Sequence, residues 1–335
     1  MWPRRVLSTA VVAVLTVAGF TATEAWSATS SAVAVEATSA EPARIPVPDP
    51  ATLKNAQKLV NELYDQDIAQ AKTTDDKVLL ARKLVQTAVE TKNDPAGRYA
   101  LLCRARDLAA SVGDDETAFA AIKQLEKYDL ADALSMKLEA LTTIAKALSG
   151  TDEVESFIKR VNPLIDEAVA ADRYTVAAQL SKLSVTAARA ARDVEALKAA
   201  MARVQEVKEI QEAYGPAKKA LDLLAAKPQD PEANLAAGKF LCLMKGDWRK
   251  GLPLLARGSD AALRSLAEKA ANKPDQAEQQ AELADACWDL SDKEQGVARQ
   301  HFRQYAAGWY AKAAPHLTGL AKAKAEKRAA EGQGK

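Results

Sequence analysis

The chain is poor in the residues on which most recognisable chemistry depends. It has two histidines, His301 and His316, and three cysteines, Cys103, Cys242 and Cys287, in 335 residues. An odd cysteine count without a Cys-x-x-Cys pair encodes neither a disulfide framework nor a thiolate zinc site. The histidines are far apart in sequence with Pro315 between them, whereas a metal pair on one helix is spaced by three or four residues. No Walker-type loop, Gly-x-Gly-x-x-Gly, Gly-x-Ser-x-Gly, His-Glu-x-x-His or calcium loop occurs. The acid pairs Asp75-Asp76 and Asp114-Asp115 fall at expected helix starts, where capping accounts for them. No cofactor or metal is expected, and the chain reads as a non-enzyme. Charge asymmetry is missing too. The formal net charge is +1, which gives no field to collect nucleic acid or an anionic surface, so no nucleic-acid partner is expected.

Aromatics make up only 5% of a chain that is 48% hydrophobic. Alanine and leucine carry the apolar share, and these are helix formers, so the fold is expected to be all-α. Residues 1–25 combine Arg4 and Arg5, an apolar run from Val6 to Phe20 and small residues up to Ala25. This is the layout of a secretory signal cleaved after Ala25 or Ser27, and an N-terminal membrane anchor if it is retained. Cleavage leaves no transmembrane span, and places the protein in the periplasm or outside a bacterial cell. Residues 26–49, rich in Ala, Ser, Thr and Pro, read as a disordered linker.

From Pro50 the pattern is helical. Asp49-Pro50 supplies a cap and a first-turn proline, followed by Leu53, Ala56, Leu59, Val60 and Leu63 at helical spacing. Thr74 is expected to cap the next helix, with Val78, Leu79, Leu84 and Val85 facing inward. Asp94-Pro95 repeats the first device. Gly113 ends a helix in a left-handed conformation, and Asp114 opens another, making residues 50–150 a run of helical hairpins. Residues 151–228 form a middle region. There Asn162-Pro163 marks a fresh start or a kink. An amphipathic stripe of Val194, Leu197, Met201, Val204, Val207, Ile210 and Tyr214 is expected to pack within the chain and to be interrupted at Gly215-Pro216.

Asp-Pro recurs at 49, 94 and 230, and Cys242 and Cys287 each precede a turn, Gly246-Asp247 and Ser291-Asp292. Residues 229–335 carry the clearest unit. Its small Ala237-Gly238 pair, Phe240-Leu241, the Gly246-Asp247 turn, Trp248, Gly251 and Leu255-Ala256 resemble a tetratricopeptide repeat, although Gly251 stands where alanine is usual and Pro253 falls inside the second helix. Accordingly that helix is expected to start late, near Lys250, or to kink. The resemblance implies an α-solenoid of stacked helix-turn-helix pairs presenting a groove to a protein or peptide partner in the cell envelope. Asn234, Lys239 and Asp285 are the groove candidates it supplies. Cys242 and Cys287 would sit on stacked helices with axes ~8–10 Å apart, too far for the ~7 Å Cα separation of a disulfide, so free thiols are expected.

Trp288, His301, Phe302, Tyr305, Trp309 and Tyr310 gather near the C-terminus. They read as bulky residues sealing the end of a solenoid, with Trp309 the candidate for stacking on a sugar or peptide. The tail, with Lys322, Lys324, Lys327, Arg328 and Lys335, reads as a solvated helix end. The alternative function is therefore a module binding glycan or another anionic polymer through these aromatics and the basic tail.

Overall fold

The computed structural model describes residues 44–148 and 150–333. The expected signal and the linker as far as residue 43 lie outside them. Among the described residues the chain is all-α. The first half comprises α1 (Pro50–Gln70), α2 (Thr74–Glu90), α3 (Pro95–Ser111), α4 (Asp115–Tyr128), α5 (Ala133–Ile144), α6 (Thr151–Ala170), α7 (Tyr174–Ala190) and the long α8 (Val194–Ala226). After α9 (Pro231–Lys239) the helix widens into a π turn over Phe240–Met244. There follow α10 (Trp248–Leu255), α11 (Ala261–Ala271), α12 (Ala277–Ser291), α13 (Gly296–Ala313), a 3₁₀ turn over Ala314–His316, and α14 (Gly319–Gly332). No helix among the described residues is long and apolar enough to cross a membrane.

Aspartate sets most of the helix starts. Asp49, Asp94, Asp114, Asp132, Asp193, Asp230, Asp247 and Asp260 each accept a first-turn backbone N–H, satisfying donors that a helix end leaves orphaned. The cap of α2 is Thr73, one residue before the expected Thr74, and it forms a capping box with Asp76. Gly113 and Gly246 close their helices at φ +82° and +65°. Other helices end without a left-handed glycine. Asp172, Arg192 and Lys273 take the left-handed conformation at φ 57°, 57° and 47°.

Among the described residues three prolines stand inside helices: Pro163 in α6, Pro216 in α8 and Pro253 in α10. None restarts its helix. The expected break at Gly215-Pro216 is absent, α8 continuing for 33 residues, and α10 begins at Trp248 rather than near Lys250. In each case the proline and the residue four before it, Lys159, Glu212 or Arg249, are exposed. The carbonyl that loses its donor therefore faces water, which limits the cost of the missing hydrogen bond.

Each helix packs on its chain neighbour, and α1, α3, α5 and α7 also pack on one another in succession, as α2 does on α4. One apolar core runs through α1–α8 and takes in Phe240 and Val297, and a second lies within α10–α14 and the π turn. The chain then doubles back, because α13 lies against both α8 and the π turn. Tyr214 bridges the halves, its ring 4.8 Å from Tyr174 and 5.9 Å from Phe240.

Several expected core residues are outside. Leu59, Leu63, Leu79, Val194 and Met201 are all more than half exposed, because α1 and the start of α8 are covered on one narrow side only and α2 turns Leu80, Ala81, Leu84 and Ala88 inward instead of Leu79. The C-terminal end of the expected linker is anchored. Ile45 donates to Tyr128 O and accepts from Leu130 N at 3.0 and 2.8 Å, pairing with the wholly buried Asp129.

Candidate functional site

The doubling back of α13 leaves a cleft between it and α6 and α8. One lobe, of about 680 Å³, has Ile158, Ala200 and Val297 on its floor and Asn162, Gln205 and Gln300 at its rim. A second lobe, of about 530 Å³, continues past Ile210 to the π turn, Lys245, Asp247 and His301. Asp166, Arg203 and Glu206 line both lobes and form the waist.

The charged groups of the cleft are already paired. Arg203 binds Asp166 of α6 and Glu206 of its own helix, the latter at 2.6 Å. Burial works against its charge, but hydrogen bonding to Glu206 and the nearby carboxylates outweigh that and hold its pKa above the ordinary value. Lys245 donates to Ala170 O and to Asp172 at 3.0 and 2.8 Å. Burial pushes the Asp172 carboxyl up, and the hydrogen bonds from Lys245 and Tyr174 overcome it, so that its pKa is lowered. Lys250 pairs with Asp247 at 3.0 Å. Glu209 accepts from Val297 N at 3.1 Å and from Gln205 at 3.0 Å. It thus caps α13 from a different helix, α13 having no side-chain cap of its own. The side-chain amides of Asn162 and Gln300 have no partner among the described residues.

His301 is half-buried on the second lobe. Its Nδ1 lies 2.7 Å from Leu243 O. A carbonyl only accepts, so Nδ1 is the donor in this contact. The Nε2 edge lies beside Gly246. No three His, Cys, Asp or Glu residues among those described converge on a metal-sized site.

The residues expected to face a partner are dispersed. Asn234 is 0% exposed, a correction to its placement in a groove. Its amide donates to Pro228 O and Asp230 O at 3.0 and 2.8 Å, tying the loop before α9 to the helix. Lys239 is half-buried and pairs with Glu294 at 3.6 Å. Asp285 is turned toward α14, where Lys324, Arg328 and the Tyr310 hydroxyl converge on it. Trp309 is half-buried, edge-on to Tyr305 at 6.2 Å, with Lys312 over its ring at 4.5 Å. Trp248 lies on Phe302 and Tyr305 of α13 rather than on its own hairpin. In the tail, Lys322 and Lys327 pair with Glu326 and Glu331. Lys335 lies outside the described residues.

None of the expected partner residues lines the cleft. Asp166, Arg203, Glu206 and Gln300 carry no motif: Arg203 and Glu206 are neighbours on α8, the approach of α6 adds Asp166, and the long-range approach of α13 adds Gln300. The start of α13 has no side-chain cap of its own, and Glu209 of α8 supplies the contact at Val297 N.

Compared with known proteins, the chain matches no family model, no curated protein and no solved structure.

Proposed function

We propose that the chain is a non-catalytic, exported scaffold of tetratricopeptide-like hairpins that takes an extended segment of a partner polypeptide in the cleft between α6, α8 and α13. The observation that carries this reading is the cleft itself, with its apolar floor of Ile158, Ala200 and Val297 and the unengaged amides of Asn162 and Gln300 at its rim. Such a surface offers burial to apolar side chains and hydrogen bonds to a main chain. Its ionic groups already satisfy one another, so the segment it suits is uncharged. The succession α1, α3, α5, α7 supports the solenoid, since stacked hairpins place alternate helices in one layer. Export rests on the amino-terminal sequence pattern.

The test is a display library of random linear peptides selected on the full chain. Enriched peptides should be poor in charge and bind with little salt dependence. Ala199→Trp fills the cleft from an exposed position of α8 and should abolish binding without changing the melting temperature. Peptides that bind this variant equally well would remove the cleft, and a library without binders would remove the scaffold reading.

A further inference from the structure

The last helix, α14, is held by a pattern that it carries entirely within itself. Lys324 and Arg328, one turn apart, both reach Asp285 of α12, Lys324 at 2.7–2.8 Å and Arg328 at 2.9 Å. Arg328 also donates to the Tyr310 hydroxyl at 2.6 Å, and its guanidinium lies over Trp288 at 5.0 Å. One turn further on, a Cβ at Gly332 would stand 2.5 Å from Arg303 O and 2.7 Å from the Ala307 methyl. Only glycine lets the backbones approach so closely. With Ala325 and Ala329 between them, these residues form one face at i, i+1, i+4, i+5 and i+8. The face beneath α14 is acidic at Asp285 and aromatic at Trp288 and Tyr310, and it recognises a helix that presents lysine, arginine and glycine in successive turns.

Beyond these contacts α14 lies close along α13 and the 3₁₀ turn, with small side chains that bury little apolar surface. Its only buried residues are Ala325 and Gly332, and Leu320 is 90% exposed. A helix that buries so few side chains belongs to the less stable part of a fold. The chain leading into it is a natural pivot. Leu317 is buried, Thr318 and Gly319 are exposed, and Gly319 has φ +57°.

We propose that the α12–α13 face is a helix-accepting surface shared between copies of this chain. On this view α14 of one chain docks on Asp285, Trp288 and Tyr310 of a second, and the second reciprocates about a two-fold axis. The second copy is the occupant because it bears the complementary charges and the required glycine in the same register. The contacts are the same in the closed and exchanged forms, so only the path through Thr318 and Gly319 distinguishes them.

The test uses two full-length variants, Asp285→Lys and Lys324→Glu/Arg328→Glu. Each repels its own α14. In an equimolar mixture both exchanged pairings are complementary, the lysine face with the acidic helix and the native face with the basic helix. Light scattering should give the single-chain mass for each variant alone and twice that mass for the mixture, with helicity unchanged. A mixture that stays at the single-chain mass overturns the proposal. Wild-type chains, tagged and untagged, refolded together from denaturant at high concentration provide a reading that needs no variant. Mixed dimers are expected, and their absence overturns the exchange. A chain that remains monomeric in both experiments, yet binds a synthetic unrelated helix with lysine and arginine four residues apart, assigns the face to a foreign partner and also overturns it.

Discussion

The indole of Trp248 lies flat on the ring of Tyr305, with centroids 4.1 Å apart and planes 13° apart. This contact joins the start of α10 to the middle of α13, and Phe302 flanks it at 5.5 Å. Full aromatic truncation in a core costs about 3–5 kcal/mol, and Trp248 is half-buried. Trp248→Ala should therefore destabilise the chain by about 2–3 kcal/mol, including the aromatic pair term. Urea denaturation followed by circular dichroism measures this, and a loss below about 1 kcal/mol would show that the stack is incidental.

Gly251 of α10 is packed so closely against the π turn and α9 that no side chain fits. A Cβ there would run into Cys242 Sγ and stand 2.9 Å from Cys242 N and 3.0 Å from Gly238 O. Gly251→Ala should cost about 1–3 kcal/mol by overpacking despite the better helix propensity of alanine. An unchanged or raised melting temperature would contradict this account.

Arg192 is exposed and left-handed after α7, a conformation that costs a side chain about 1–2 kcal/mol. Glycine removes that cost while raising the entropy of the unfolded chain. Arg192→Gly is accordingly expected to stabilise by about 0.5–1 kcal/mol. Differential scanning calorimetry decides the sign.

Asp132 caps α5 and pairs with Arg173 at 2.5 Å. Hydrogen bonding to Arg173 is the largest cause of its low pKa, about 2 against an ordinary 3.8. A lowered carboxyl stabilises the fold above its ordinary pKa, and that contribution is lost as pH falls from about 4 toward about 2. Asp132→Asn keeps a good cap and should flatten the stability profile in that window. At neutral pH it should cost under about 1 kcal/mol, since solvent screens the two side chains, 44% and 42% exposed. A profile parallel to that of wild type between pH 2 and 4 would show that the pair carries no linkage.

The three cysteines are free thiols. Burial pushes the Cys103 thiol up to about 11, and Cys242 and Cys287 higher still. Reaction needs the thiolate, so a disulfide reagent at pH 8 should leave the native chain almost unlabelled and should titrate three groups after unfolding without reductant. Recovery of one group instead of three would mean that a pair has oxidised.

Helix starts were legible because aspartate, proline and left-handed glycine act within a few residues, as at Asp49, Asp94, Gly113 and Gly246. Helix continuation was less so, since whether Pro216 breaks α8 depends on which side of the helix meets water. Helical period alone does not determine burial. Leu59 and Leu63 sit at core spacing on a helix with a single narrow contact, and Asn234 looks polar yet serves as an internal staple. The cleft was not legible at all. Arg203 and Gln300 are brought together by α13 crossing α8, and no local signal encodes that crossing.

The pairing of Ile45 with the α4–α5 joint decides how the folded body bears load. A pull applied through Arg44 is met first by the two hydrogen bonds to Tyr128 and Leu130, with the buried Asp129 behind them, and reaches α1 only after these have broken. Tension along the chain thus enters at the α4–α5 joint and bypasses the four helices that precede it. The body is suspended from a flank, and the outer helices remain unloaded until the strap gives way.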